Sequence, residues 1–265
     1  MIFKLFGVIF FIIMFIPFFS ALFFSFGTFD LPNSIYSFFT VQAYLGVFTE
    51  HRWEAISIIV SRSIWVASLS VFFAFVFTFL LIQNVSSKTV IIILTIISMP
   101  LLLNIGIRGI AWLDILKESE KFFHYTYPYN NNYAVVFSMI SSSIAFPIFS
   151  IFISLKIIDK YIWYSALDLG ASPLTRIIKI IIPNILPGLV VGWIGSFAIS
   201  MVSSFEVHFL TDSKISLSQI YNDLFSVGKL TESLALSATI IFFYMFIIYI
   251  FYIWIKKYYQ RLNNA

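Results

Sequence analysis

Six stretches of this chain, at about residues 5–26, 63–82, 89–107, 133–155, 184–207 and 233–255, are apolar over the length a helix needs to cross a hydrocarbon core. A core of about 30 Å takes roughly 20 residues of helix. Lipid offers no partner to a bare N–H or C=O, so runs of this kind must satisfy their backbone within helices. The remaining composition points the same way. With 60% hydrophobic and 11% charged residues, 265 residues carry more apolar surface than a water-soluble globule hides. The expectation is an all-α membrane protein, one domain over 1–265 organised as a six-helix bundle. The first stretch follows Lys4 and passes Ser20-Ala21, which permits a signal-peptide reading. Its apolar run continues through Phe23-Phe24, which favours a retained first helix. Pro100, Pro147 and Pro187 fall inside stretches and predict kinks that neighbouring helices accommodate.

Charge sets an orientation. With the N-terminus inside, the cytosolic segments carry Lys4, Lys88, Lys156, Lys160, Arg176, Lys179, Lys256, Lys257 and Arg261, opposed by Asp159 and Asp168. The outer segments are longer and hold the other carboxylates. The positive-inside rule then puts both termini in the cytosol, with segments 27–62 and 108–132 outside. Segment 27–62, with Tyr36, Tyr44 and Trp53, reads as one or two interfacial helices. Segment 108–132 mixes Arg108, Trp112 and Asp114 with Tyr125, Tyr127 and Tyr129, a pattern usual for interface belts.

Several chemistries are missing. There is no phosphate-cradling G-x-x-x-x-G-K-[ST] loop, and no G-x-S-x-G elbow. His51, His124 and His208 are far apart in sequence and lack metal-ligand spacing, and cysteine is absent. The 33 Phe read as a compositional bias filling lipid-facing positions. A net charge of +4 spread in this way does not indicate nucleic acid as a partner. No catalytic constellation, metal site or resident cofactor is expected, so energised work would need a second polypeptide.

The most ordered signal is polar. Between the fourth and fifth stretches lies Tyr164-Ser165-Ala166-Leu167-Asp168-Leu169-Gly170-Ala171-Ser172-Pro173-Leu174-Thr175-Arg176-Ile177-Ile178-Lys179-Ile180-Ile181-Ile182-Pro183. Ionised side chains keep this segment in water. Gly170 is placed to end one short helix, Ser172 to cap the next, and Pro173 to occupy its first turn. Two short helices meeting at a bend form a rigid surface knob.

This segment resembles the "EAA" loop of permease subunits of ABC importers, E-A-A-x-x-x-G, nine residues, then I-x-L-P. Ala166, Gly170, Ile180 and Pro183 match, while Tyr164 stands for the glutamate, Ser165 for the first alanine and Ile182 for the leucine. Asp168, Ala171 and Ser172 flank the match. The glutamate's loss removes a charge available to a partner. Further likeness is to the spermidine/putrescine-type branch. It runs through Asn104-Ile105-Gly106-Ile107-Arg108 and Trp112, and through Gly192-Trp193 and Ser196-Phe197 to Ser200-Met201. Relatives in that branch carry adjacent aspartates where this chain has Val202 and Ser203.

The resemblance implies the type I ABC importer permease fold in a bacterial inner membrane, with loop 156–183 as the coupling loop. It implies cytosolic ABC ATPase subunits that bind the ATP, a second permease subunit (paralogue or identical copy) and an extracytoplasmic solute-binding protein. A polyamine or similar small polar solute is the expected cargo; iron(III) and thiamine travel on the same scaffold. Trp112, Asp114 and Glu206 are the candidates for a substrate path, because ionisable and aromatic groups at span ends can offset a cation's lost hydration. Glu206 has a second reading, as a solvated residue at headgroup level beside Asp212. An ion-gradient-driven transporter is the rival of another class, but it predicts paired broken helices with midplane carboxylates. The acidic residues here sit at span ends or in loops. A non-transporting scaffold is a third possibility.

Overall fold

The computed structural model describes residues 2–30, 35–37, 40–103, 105–123, 132–158, 160–203, 205–211 and 215–263. Asn104, His124, Tyr125, Tyr127, Tyr129, Asp159 and Asp212, named above, lie outside these residues. The described chain is overwhelmingly helical. Helix α1 (Ile2–Ser25) leads to a small antiparallel pair, β1 (Thr28–Asp30) and β2 (Ile35–Ser37), with Phe29 opposite Tyr36. Segment 27–62, which reads as one or two interfacial helices, also holds this strand pair. Its Thr, Phe, Ile and Tyr are types that favour an extended, paired backbone, and they form this pair. The short α2 (Gln42–Val47) and the long α3 (Glu50–Asn84) follow.

Next come α4 (Ser87–Leu102), α5 (Ile105–Phe123), α6 (Asn132–Ser143), α7 (Ala145–Ile157), α8 (Lys160–Asp168) and α9 (Pro173–Arg176). A π-helical segment, Ile177–Ile181, leads into α10 (Ile182–Val202). The chain finishes with α11 (Phe205–Leu210), α12 (Leu217–Ser226) and α13 (Leu230–Asn263).

Among the described residues, three helical segments are long and apolar enough to cross a membrane: Arg52–Asn84, Pro173–Val202 and Leu230–Gln260. The pair Tyr133–Ser143 and Ala145–Ile157, bent by 47°, makes a fourth if taken as one span. Phe15–Ser25 and Lys88–Met99 are shorter apolar helices. Two of the six expected stretches are also broken. The run over 89–107 divides between α4 and α5. That over 184–207 ends at Val202, because Ser203 turns extended with ψ 95° before α11.

The bend between α6 and α7 has a chemical cause. Pro147 has no N–H to give the carbonyl four residues back, that of Ser143, and its ring crowds that carbonyl. The Ser196 hydroxyl of α10 donates to the Ser143 carbonyl instead, at 3.3 Å.

The chain forms two compact units, residues 1–57 with 217–249 and residues 58–216 with 250–265. The first has a core of Ala43, Val47, Leu224, Ala235 and Leu236. Beside it Glu232 accepts from Arg52 at 2.6 Å and pairs with Lys229 at 2.8 Å. Gly46 is compatible with this cluster because a Cβ there would stand 2.9 Å from the Glu232 carboxyl carbon.

The second unit holds two apolar clusters. One joins α3, α4, α7 and α10 through Ala74, Val90, Ile148, Ile151 and Ile185. The other joins α3, α6 and α11 through Val66, Val135, Met139, Val207 and Leu210, with Trp112 and Leu116 of α5 packed against it. Among the described residues, α7 and α10 pack closely along their length. Gly188 faces Ser150 and Ser154, and Gly192 faces Ser150 and Pro147. Small residues let the two backbones approach, as close helix pairs in lipid require.

Candidate functional site

The loop between α7 and α10 is built by local chemistry. At the end of α8, Gly170 adopts φ +74°, the left-handed conformation that costs glycine nothing. The Gly170 N–H donates to the Leu167 carbonyl at 2.9 Å, and the Ala171 N–H to the Ala166 carbonyl at 3.0 Å. These two bonds close a Schellman cap. Two residues on, the Ser172 hydroxyl accepts from the Thr175 N–H at 3.3 Å and pairs with the Thr175 hydroxyl at 2.8 Å, while Pro173 opens α9. The bend is thus specified from both sides.

What the bend presents is apolar. Leu169 is 88% exposed and Leu174 65% exposed. Tyr164, Ser165, Asp168, Gly170 and Ser172 are also exposed, Ala171, Ile180 and Pro183 are partly covered, and Ala166 is buried. Arg176, despite its charge, is buried. Neither leucine is part of a core.

The other three sequence candidates do not form one group. The α5 indole of Trp112 donates from Nε1 to Ser141 Oγ at 2.9 Å and meets the Phe137 ring edge-on at 5.3 Å. Glu206, on α11, is fully buried, and its Oε1 accepts from the Ser142 hydroxyl at 2.9 Å. Oε2 of Glu206 is buried with no hydrogen-bond partner among the described residues. Glu206 is therefore an enclosed carboxyl group, not a solvated one. Asp114 is exposed, two residues beyond Trp112 on α5. Adjacent serines of α6 thus hold Trp112 and Glu206, and Asp114 stands apart.

An enclosed carboxylate with a free lone-pair face is costly unless something compensates it. Its Oε2 is open to a further polar partner. Other polar groups here were not singled out from sequence. Arg62 is buried within α3 and donates from Nη2 to the Ile215 carbonyl at 2.7 Å. Ser70 and Ser143 pair at 2.9 Å inside the bundle. An arginine interrupting an apolar helix was a usable signal for the first. The serines of Ser141-Ser142-Ser143 gave none, because their roles depend on which helix each one faces.

Composition and fold together are those of an all-α membrane protein. No family model matches the chain. Over 77 residues it is 38% identical to the spermidine/putrescine transport system permease protein PotC of Escherichia coli (strain K12), and equally to that of Shigella flexneri. The aligned stretch is 28% of this chain and 29% of each of those proteins, so the chain spans less than a third of the relatives it matches. The likeness is to a transport permease.

Proposed function

We propose that this chain is the permease subunit of an ATP-driven ABC importer, with six spans, both termini in the cytosol and loop 156–183 as the docking element for separate ATPase subunits. The observation that carries this is the doubly capped bend at Gly170 and Ser172, which holds exposed Leu169 and Leu174 in a fixed place. A stiff element is what passes nucleotide-driven movement into a helix bundle, since a soft one would absorb it. Tyr164, Ser165, Ala166, Asp168, Gly170, Ala171, Ser172, Ile180 and Pro183 make up the coupling loop.

The cargo is a polyamine or a comparable small cation, delivered by an extracytoplasmic binding protein and passed through a pair of permease subunits. The partial likeness to spermidine/putrescine permeases supports this class, and so does the enclosed carboxylate of Glu206. Glu206, Trp112 and Asp114 are its path residues.

The test is co-expression with the ABC ATPases and solute-binding proteins of the same genome, followed by reconstitution in proteoliposomes. An ATPase should co-purify, and its activity should rise with binding protein loaded with spermidine or putrescine. Stimulation by iron(III) or thiamine instead would replace the cargo. Failure of any ATPase to associate would overturn the permease reading.

A further inference from the structure

Where the loop meets the long helices, an arginine sits in an apolar setting. Arg176, at the end of α9, is only 8% exposed. It lines an open cleft of about 560 Å³ together with Gln83 of α3 and Tyr164 of α8. The rest of the lining is Phe79 with leucines and isoleucines, Leu155 and Ile158 among them. That volume falls within the range of about 300–1,000 Å³ usual for small-ligand sites. Among the described residues, no carboxylate lines it.

The cleft lies where two apolar helices end. Phe79 and Gln83 occupy the last turns of the apolar segment Arg52–Asn84, and Leu155 the last turn of α7. Such helix ends meet the boundary between hydrocarbon and headgroups. Cations gather at the same place. Lys156 follows Leu155 and is exposed, with its Nζ 5.6 Å from the Phe152 ring centroid. Lys179, also exposed, precedes Ile180 of the lining. Among the described residues of loop 156–183, the carboxylate of Asp168 stands against Lys156, Arg176 and Lys179.

We propose that this cleft binds an anionic phospholipid, with its phosphate on Arg176 beside Gln83 and an acyl chain along Phe79, Leu155 and Ile158. Basic pockets between helices at the cytosolic boundary take anionic headgroups. A guanidinium suits phosphate because it offers paired N–H donors, and its five donors can serve several acceptors at once. The apolar walls suit the chain that hangs below the headgroup. A lipid so held anchors the root of the loop to the bilayer.

The inference rests on the proposed orientation, which places this end of the helices in the cytosolic leaflet. Its test requires neither ATPase nor cargo, so its failure and that of the permease reading are distinguishable. The full chain in neutral detergent is titrated with phosphatidylglycerol, phosphatidylcholine or inorganic phosphate, and bound lipid is counted by native mass spectrometry. Phosphatidylglycerol should be retained in preference to phosphatidylcholine. Arg176→Gln should weaken its retention about tenfold, the loss expected for one charged hydrogen-bonded contact. Gln83→Glu adds a repelling charge at an exposed position, so folding should be preserved. It should weaken retention of phosphatidylglycerol and leave that of phosphatidylcholine unchanged; if Arg176→Gln does not fold, this variant decides alone. Equal retention of the two lipids by the parent, or parental binding of phosphatidylglycerol by Gln83→Glu, would overturn the site. Displacement of the lipid by inorganic phosphate would make a soluble phosphate the ligand and overturn the lipid assignment.

Discussion

Gly192 lies so close to Pro147 that a Cβ on the glycine would stand 2.7 Å from the proline Cα. The obstacle is backbone, which has no rotamer by which to yield. Gly192→Ala should therefore lower the thermal stability of the detergent-solubilised chain, by about 1–3 kcal/mol, the usual cost of overpacking. Gly195 provides the comparison, because its nearest obstacle is the Phe146 ring at 3.1 Å, a half-exposed side chain that can turn away. Equal losses from Gly192→Ala and Gly195→Ala would refute the close-packing account.

The carboxylate of Glu206 supplies the second prediction. Glu206→Gln keeps an oxygen for the Ser142 hydroxyl, so folding should be preserved while the charge is lost. Uptake of spermidine by the reconstituted complex should fall about tenfold, equivalent to ~1.4 kcal/mol. Basal ATPase activity should stay near parental. Asp114→Asn should have a smaller effect on uptake, since that residue is exposed. Indifference of every tested polyamine to Glu206, Trp112 and Asp114 alike would remove the cationic cargo and leave the coupling loop unaffected.

At Gly170 the strain is purely backbone, because a Cβ there would meet nothing within 4 Å. Gly170→Val should cost about 1–2 kcal/mol of local stability through its positive φ. Asparagine tolerates that conformation, so Gly170→Asn should cost less. In the assembled importer Gly170→Val should uncouple ATP hydrolysis from uptake at normal membrane abundance. Normal transport by the valine variant would remove the loop from the coupling mechanism.

Orientation can be read with single cysteines in this cysteine-free chain. Asn84→Cys, at the end of α3, should react with an impermeant maleimide only after the membrane is opened. Ser226→Cys, at the end of α12, should react in intact cells. Both residues are exposed, so access from a compartment decides the outcome. Labelling of both from outside would invert or dismantle the proposed topology.

How legible each feature was depended on the distance over which its cause acts. The bend at Gly170 and the cap at Ser172 could be read because both arise from residues within five positions of one another. The kink at Pro147 was equally readable, but not the Ser196 hydroxyl that answers it from 53 positions away. Glu206 read as a residue ending an apolar run, because nothing nearby indicates that the chain breaks at Ser203 and packs α11 onto α5 and α6. The small β pair lay within a segment whose aromatic residues suggested interfacial helices. The π turn was hidden too, since proline at 183 reads as an ordinary helix start.

Ser196 bridging to the carbonyl that Pro147 leaves free has a mechanical consequence. It ties the bend of the α6–α7 pair to the middle of α10, beside the tight seam of Gly188 and Gly192. The capped loop between α7 and α10 leaves from one end of that seam and returns to the other member at the same end. It is suspended like a handle with both roots in one block. A push on such a handle cannot pry α7 and α10 apart; it must tilt them together or be taken up within the handle.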